Sequence, residues 1–259
     1  MLKRLKNSLR LSALQGVVLP VLLLLLWDYL SRQGAAFAYA FVPVIDIWHS
    51  LLELLTNGEL LTNLLATLQT AMVGLVIGGS LGLMVGGLMG ISRTVDKIIG
   101  PLYHTVRQVP LLGWIPLIGL WFGNGLTSKV LIVCLAAFYP MVLNTYEGMR
   151  HVEKQYIEVG QVLKFTRWQI FIHVLMPASL PSIITGVMHA LAFAWISTVG
   201  SELLFSTGPG LGGLMQTAQS ASRMDIVVLC VASIGVTGFI MNYGFSRLSR
   251  HLLRWRNVR

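Results

Sequence analysis

Charged residues are scarce in this sequence. They make up 11% of its 259 residues, whereas 55% of the residues are hydrophobic. A soluble domain of this length carries about 25% charged residues, so the shortage excludes an ordinary soluble protein. It indicates instead that much of the chain is solvated by lipid. We therefore expect an all-α membrane protein, because backbone polar groups inside a bilayer are satisfied within helices.

Residues for covalent or metal chemistry are also few. The two cysteines, Cys134 and Cys230, lie in apolar runs, and they indicate neither a disulfide framework nor a metal site. We interpret them as small buried hydrophobic residues. The sequence shows no Walker-type phosphate loop, no metal-ligand motif and no Ser/His/Asp arrangement. We therefore expect this chain not to be an enzyme and to hold no metal.

Acidic residues are fewer than basic ones, with 10 Asp and Glu against 19 Lys and Arg and a net charge of +9. In a soluble protein this excess would suggest a nucleic-acid partner. Here the basic residues cluster at the ends of apolar segments and in the tails, and they do not alternate with aromatic residues on a soluble face. The charge pattern therefore favours membrane topology, and we expect no nucleic-acid partner.

Six apolar segments predict six transmembrane helices, at 16–30, 64–91, 98–122, 129–145, 182–205 and 225–245. With the N-terminus inside the cell, most Lys and Arg residues fall in the inside segments 1–15, 92–97, 146–181 and 246–259. The outside segments hold only Arg32 and Arg223, with Lys129 at an outer edge. This asymmetry predicts a multi-pass protein of the inner (plasma) membrane with both termini cytoplasmic.

The N-terminal segment also resembles a signal peptide. Lys3, Arg4, Lys6 and Arg10 precede an apolar run, and Ala38-Tyr39-Ala40 resembles a cleavage site. That site lies well beyond the apolar run, so we interpret 16–30 as an uncleaved first span. Residues 43–63 then predict an amphipathic helix outside the membrane. We accordingly divide the chain into 1–63, with the tail, first span and outer helix, and a five-span core at 64–259 with a cytoplasmic loop at 146–181.

Glycines recur every four residues in the second predicted span, which places them on one face of a helix. Small residues allow close helix packing in lipid. Static packing is one interpretation of this face and a sliding surface for conformational change is the other. The glycines are Gly74, Gly78, Gly82 and Gly86.

The third predicted span contains Pro110 and Pro116, which we expect to break its helix. Irregular backbone at membrane depth is tolerated where it lines a cavity or is buried by neighbouring helices. This span is therefore a candidate pathway helix, with Arg107 near its cytoplasmic end. Arg107 either faces the pathway or extends to the lipid headgroups.

The cytoplasmic loop is long, basic and amphipathic. We predict a short helix at 156–165 and a second at 168–175, followed by Pro177 and Pro181 at the entry to the fifth span. A short helix displayed in water suits a groove on another protein. The alternative is an amphipathic hairpin on anionic lipid, which Lys154, Lys164 and Arg167 would favour.

The pattern of this loop resembles the permease subunits of ABC importers. Their loop carries Glu-Ala-Ala, three residues, Gly, a spacer with an aromatic residue, then Leu-Pro and a second Pro. This chain has Glu158-Val159-Gly160, Phe171, Met176-Pro177 and Pro181, but Lys164 stands where glycine is expected. Glycine would allow a left-handed turn at the helix end. Its absence predicts either a left-handed residue near Lys164 or Phe165, or an extended helix.

Further segments resemble the nitrate, taurine and aliphatic-sulfonate permeases. They are VPLLGWIPLIGLWFG, the spacing of Trp195 and Glu202, and GPGLGGLMQTAQ before Asp225. The order of elements agrees from about Leu64 onward, while Met188-His189 stands where a basic residue is expected after Thr185-Gly186-Val187.

The resemblance implies a type I ABC importer permease fold with a cytoplasmic coupling helix between spans four and five. It also implies a homodimer, two cytoplasmic ATPase subunits that bind ATP and Mg²⁺, an extracytoplasmic binding protein and a small, mostly anionic substrate. The coupling residues would be Tyr156, Ile157, Glu158, Val159, Gly160, Leu163, Lys164 and Phe165. The translocation path would involve His104, Arg107, Pro110, Trp114, Pro116, His189 and Trp195, although His189 is also interpreted as a hydrogen-bonded packing residue. The outer gate would involve Glu202, Gly210 and Gly212, and Glu202 would hold that gate or touch the binding protein.

Two other classes remain as alternatives. An ion-gradient-driven secondary transporter usually shows internal repeats with charged or broken helices in both halves. This chain has no convincing repeat and one proline-broken span. A membrane-anchored structural or assembly protein would leave the organised cytoplasmic loop without a purpose.

Overall fold

The computed structural model describes residues 18, 19, 21–34, 41–205 and 207–253. Every regular element in these ranges is helical. The basic N-terminal tail, the predicted cleavage site and the last residues of the basic C-terminal tail lie outside them. The helices are α1 (Val21–Ser31), α2 (Val44–Thr56), α3 (Glu59–Ile91), α4 (Arg93–Val106), α5 (Leu111–Phe122), α6 (Leu126–Arg150), α7 (Lys154–Val162), α8 (Arg167–Ile170), a π-helical turn (Phe171–Leu175), α9 (Met176–Leu204), α10 (Leu211–Ser220) and α11 (Met224–Leu252).

Four helices in the described ranges are long and apolar enough to cross a bilayer. They are α3, α6, the continuous helix Arg167–Leu204 that includes α9, and α11. These helices confirm four of the six predicted spans. The other two segments form shorter apolar helices, α1 and α5, so spans one and three remain predictions.

The third predicted span is divided into two helices. α4 ends at Val106, the chain turns through Arg107–Pro110, and α5 begins at Leu111. Pro110 has extended backbone and caps α5, as expected for a residue that cannot donate to a preceding turn. Pro116 lies inside α5 and does not interrupt it, so the prediction of a second break was wrong. α5 ends at Gly123, whose φ of 75° favours glycine.

The glycine face of α3 packs directly on α6. A methyl group on Gly78 would lie 2.2 Å from the carbonyl oxygen of Cys134, and one on Gly86 would lie 2.5 Å from that of Val142. On Gly74 it would lie 2.4 Å from a side-chain carbon of Val133, and on Gly82 it would lie 2.8 Å from both Met141 and Phe138. Such close approach is available only to glycine, so the structure shows close helix packing on this face.

One end of the long helices is covered by α2 and α10, which pack on α3 and α11. Their apolar contacts form one cluster, made of Leu54, Leu60, Leu211, Ala218, Ile226, Leu229 and Cys230. The predicted amphipathic helix is shorter than 43–63, because it ends at Thr56 and a turn at Asn57-Gly58 leads into α3. Gly58 takes a φ of 71°, which accounts for glycine at this turn.

Candidate functional site

The α7 helix ends in a left-handed residue that is not glycine. Lys164 has a φ of 56°. Its N–H donates to the carbonyl of Gln161 at 2.9 Å, and the N–H of Phe165 donates to that of Gly160 at 3.0 Å. This pair of bonds is a Schellman motif, which satisfies two carbonyls at the helix end. The structure therefore selects the left-handed turn over the extended helix.

One face of α7 is open and the other is packed. Glu158 is exposed, Ile157 is half-buried and Gly160 is buried. The space beside Gly160 is lined by Phe165, Ile170 and Val174 at ordinary van der Waals distance from where a Cβ would stand, so α7 rests closely on the following segment. The open face presents apolar side chains, with Tyr156 55%, Val159 58%, Val162 82% and Leu163 61% exposed.

The segment after α7 runs without a break into the membrane. Thr166 and Gln169 form a reciprocal capping box that starts α8. The helix then continues to Leu204 as one element of 38 residues, so the second short helix predicted at 168–175 is not separate. Its π-helical turn, in which the N–H of Met176 donates to the carbonyl of Phe171, precedes Pro177. A wider turn leaves room for the proline ring, which would clash inside a regular helix.

Three of the predicted pathway residues meet at a cavity of about 470 Å³. Arg107, Pro110 and His189 line it, together with residues of the Arg107–Pro110 turn and of α6. The lining reaches the middle turns of α6 and α9, so the cavity lies near the midpoint of both long helices. Arg107 therefore lies beside the middle turns of two long helices. We refer to this space as the central cavity.

The other four predicted pathway residues lie outside the central cavity. His104 and Pro116 are exposed on α4 and α5, and Trp114 packs beside the apolar cluster of Ile115, Ile118, Ile132 and Phe205. Trp195 is 7% exposed, and its Nε1 donates to the carbonyl of Ile234 at 3.3 Å. A methyl group on Gly238 would lie 2.8 Å from that nitrogen, so Trp195 is in close contact with α11.

Four polar side chains at the central cavity were not predicted from the sequence, namely Tyr103, Gln108, Tyr139 and Asn144. Tyr103 donates its hydroxyl to the carbonyl of Tyr139 at 2.7 Å, and the guanidinium of Arg107 lies 5.8 Å from the centre of the Tyr103 ring. Tyr139 and Asn144, both on α6, also line the cavity. In the sequence, these side chains are recognisable only as polar residues inside apolar segments. That pattern does not indicate which helix each side chain faces.

The predicted gate residues come together at the C-terminal end of α9. Glu202 is fully buried and accepts hydrogen bonds from the hydroxyl of Thr67 at 3.0 Å and from the N–H of Gly212 at 2.9 Å. Methyl groups on Gly210 and Gly212 would lie 2.5 Å and 2.7 Å from Glu202 atoms, so both positions require glycine. In this conformation Glu202 contacts its own chain and presents no surface to a partner.

Further hydrogen bonds hold the same segment, and their donors and acceptors were not predicted from the sequence. Asn63 accepts from the N–H of Gly210 and Thr67 accepts from that of Leu211, each at 2.8 Å. Lys129 is 2% exposed, and its ammonium donates to the carbonyl of Thr207 at 2.7 Å. Residues of α3, α6 and α9 thus fix the segment 207–212, and together with Glu202 they are called the outer clamp.

A charged cluster links α2 to α11 on the same side. The guanidinium of Arg223 bonds to the carboxylate of Asp225 at 2.8 Å and to that of Glu53 at 3.0 Å. The hydrogen bond to Asp225 raises the pKa of Arg223 above its usual range, and the bond to Glu53 adds a smaller effect in the same direction. Ser50 donates to Asp225 as well. The cluster fixes α2 against the start of α11.

Residues 78–256 match the family described as binding-protein-dependent transport system inner membrane component. The chain is 33% identical to SsuC of Bacillus subtilis, whose name assigns it to aliphatic sulfonate transport, over 96% of this chain and 90% of that protein. It is 35% identical to the taurine transport system permease protein TauC of Escherichia coli, over 77% and 72%. It is 27% identical to the nitrate import permease protein NrtB of Leptolyngbya laminosa, over 85% and 80%.

The fold is also that of a solved transporter chain. A crystal structure of an amino acid ABC transporter with histidines matches with a TM-score of 0.64 at 18% identity. The match covers 79% of this chain and 97% of that one. At this identity the likeness concerns the fold alone.

Proposed function

Because the chain belongs to the family of binding-protein-dependent transport system inner membrane components, we propose that it is the permease subunit of an ATP-driven importer for a small anionic solute. Two copies would form the path through the membrane. Two cytoplasmic subunits would bind and hydrolyse ATP with Mg²⁺, and a binding protein would deliver the solute from outside. The names of the relatives support a sulfonate, taurine or nitrate as the solute class.

The observation that carries this proposal is the geometry of α7. Its open face has four exposed apolar side chains, which would contact a groove in the ATPase subunit. Its packed face rests on the segment that continues directly into α9, and this continuity favours movement of α7 together with α9. Movement of an ATPase subunit would therefore pass to a membrane-spanning helix as a rigid-body displacement.

Basic residues support the proposed orientation of α7 in the cytoplasm. Those on its side of the membrane include Arg93, Lys97, Arg150, Lys154, Lys164, Arg167, Arg247 and Arg250. The opposite side carries Arg32 and Arg223 in its connecting segments, and each of these pairs with a carboxylate. Under the positive-inside rule, this distribution supports a cytoplasmic α7 and an outer clamp on the opposite side of the membrane.

The outer clamp would act as the extracytoplasmic gate. It ties the segment 207–212 to α9 through Glu202, and α9 is the helix that α7 would move. A displacement of α9 therefore changes hydrogen bonds at the outer end as well as contacts at the inner end. Alternating access requires an element that can adopt two arrangements, one favoured by the solute and the other by ATP. We propose that α9 with the outer clamp is this element.

The test is co-purification of the full chain with its ATPase and binding protein, followed by measurement of binding-protein-stimulated ATP hydrolysis. Val162→Arg places a charge on the open face of α7 without touching its packed face, so we expect loss of ATPase association and of stimulated hydrolysis. Thr94→Arg adds the same charge at an exposed position at the start of α4, and we expect it to retain both. Full association and stimulation in Val162→Arg would reject the role of α7.

A further inference from the structure

The lining of the central cavity includes a cation and, among the described residues, no carboxylate. Within the described residues, Arg107 has no acidic side chain within 4.0 Å, and the cavity lining contains none. Glu147, the next acidic residue along α6, lies outside that lining. An unpaired charge near the middle of a membrane protein is costly, and such residues usually serve a ligand or an ion pathway.

Other groups at the cavity are also donors. His189 lies on its α9 side, and Leu111 begins α5, whose N-terminus has no side-chain cap. The free N–H groups and dipole of a helix start favour an anion. The stacking of Arg107 beside Tyr103, whose hydroxyl is bound to the α6 backbone, restrains the cation on this wall.

Apart from Gln108, Tyr139 and Asn144, the remaining lining residues are apolar. Val109, Leu143 and Phe193 face the same space, on the Arg107–Pro110 turn, α6 and α9. A volume of about 470 Å³ is in the range of small-molecule sites and leaves room beyond a three- or four-atom oxyanion. One cationic region combined with apolar walls fits an anion that carries a hydrocarbon tail. An inorganic oxyanion such as nitrate would leave those walls uncovered.

We infer that the central cavity is a binding site of the permease itself for an organic oxyanion with a short apolar tail, such as an alkanesulfonate. Arg107 binds the oxyanion group, His189 contributes a second donor, and Phe193 with Leu143 contacts the tail. The inference rests on the proposed function and adds that the permease selects among anions independently of the binding protein.

The experiment is calorimetric titration of the purified complex of permease and ATPase, without nucleotide or binding protein. The probes are pentanesulfonate, its uncharged analogue pentanesulfonamide, and nitrate. We expect pentanesulfonate to bind about tenfold or more tightly than either of the others, because only it uses both the cation and the apolar walls. Equal binding of nitrate or of the sulfonamide, or no binding of pentanesulfonate, would overturn the inference.

Variants locate the site. Arg107→Gln should weaken pentanesulfonate binding about tenfold or more, while Arg107→Lys should retain part of it. Arg93→Gln, which removes an exposed cation at the start of α4, should leave it unchanged. Unchanged binding in Arg107→Gln, or an equal loss in Arg93→Gln, would contradict the assignment. If Arg107→Gln does not fold, the three-probe series on the unmodified chain decides.

Binding-protein-stimulated ATP hydrolysis by the same complex separates this inference from the proposed function. Stimulated hydrolysis without pentanesulfonate binding rejects the cavity site alone. Failure of the chain to assemble with an ATPase rejects the proposed function, and the inference with it.

Discussion

At the scale of single residues, Lys164 occupies a conformation that glycine adopts more readily. A left-handed conformation costs a residue with a Cβ about 1 kcal/mol. Lys164→Gly should therefore stabilise the end of α7 by about 1 kcal/mol, whereas Lys164→Ala, which removes the same charge, should not. Hydrogen exchange of the Phe165 amide measures this, since that amide closes the Schellman motif. Slower exchange in Lys164→Gly only is expected, and equal rates in both variants would show that Lys164 is unstrained.

Glu202 is the residue on which the outer clamp depends. Glu202→Ala leaves the buried Gly212 N–H without its acceptor, at a cost of about 1–3 kcal/mol for such a group, whereas the Thr67 hydroxyl keeps its bond to the carbonyl of Asn63. We expect faster hydrogen exchange across 207–213 and a lower thermal stability in detergent. Glu53→Ala removes a half-exposed carboxylate on the same side and should leave that segment protected. Unchanged exchange in Glu202→Ala would show that the clamp does not depend on this carboxylate.

Local features of single residues were predicted from the sequence, whereas their contact partners were not, because those partners lie far away along the chain. The departure from the family pattern at Lys164 predicted an unusual helix end, but local sequence did not choose between a left-handed turn and a longer helix. Glu202 was predicted near the end of its helix, yet its partner Thr67 is 135 residues away. Periodicity gives the face of a helix, and it carries no information about which distant residue meets that face.

At the scale of elements, the closest contact is between α3 and α6. Gly78→Ala places a methyl group against the backbone of Cys134 and should destabilise the protein by about 1–3 kcal/mol, as overpacking does. Gly79→Ala, one residue along, meets nothing within 4 Å and should be neutral or stabilising. Thermal unfolding in detergent compares the two. Equal midpoints would contradict the packing assigned to this glycine face.

The four long helices followed from hydropathy alone, because no other structure satisfies so many apolar residues and their backbone. The divided third span was harder to predict. Proline can cap a helix or lie inside one. Here Pro110 caps α5 and Pro116 lies inside it. The continuity of Arg167–Leu204 was missed for the same reason, since Pro177 and Pro181 suggested an entry point and a π-helical turn accommodates the first of them.

At the scale of the whole molecule, one long helix connects the three candidate functional regions. Arg167–Leu204 begins beside α7, passes the central cavity at His189 and ends at Glu202 in the outer clamp. The sequence analysis listed candidate residues for each region, but composition and motifs do not show that they share one element. This arrangement lets a movement at the inner face alter the cavity and the outer end together.

ATP-dependent uptake into proteoliposomes tests the central claim most directly. The full complex is reconstituted with ATP inside, binding protein and labelled sulfonate are added outside, and ionophores collapse every ion gradient. The account predicts uptake that requires both ATP and the binding protein, persists with ionophores and is lost in Val162→Arg. Uptake that proceeds without ATP and stops when the gradients collapse would contradict it and identify an ion-driven transporter.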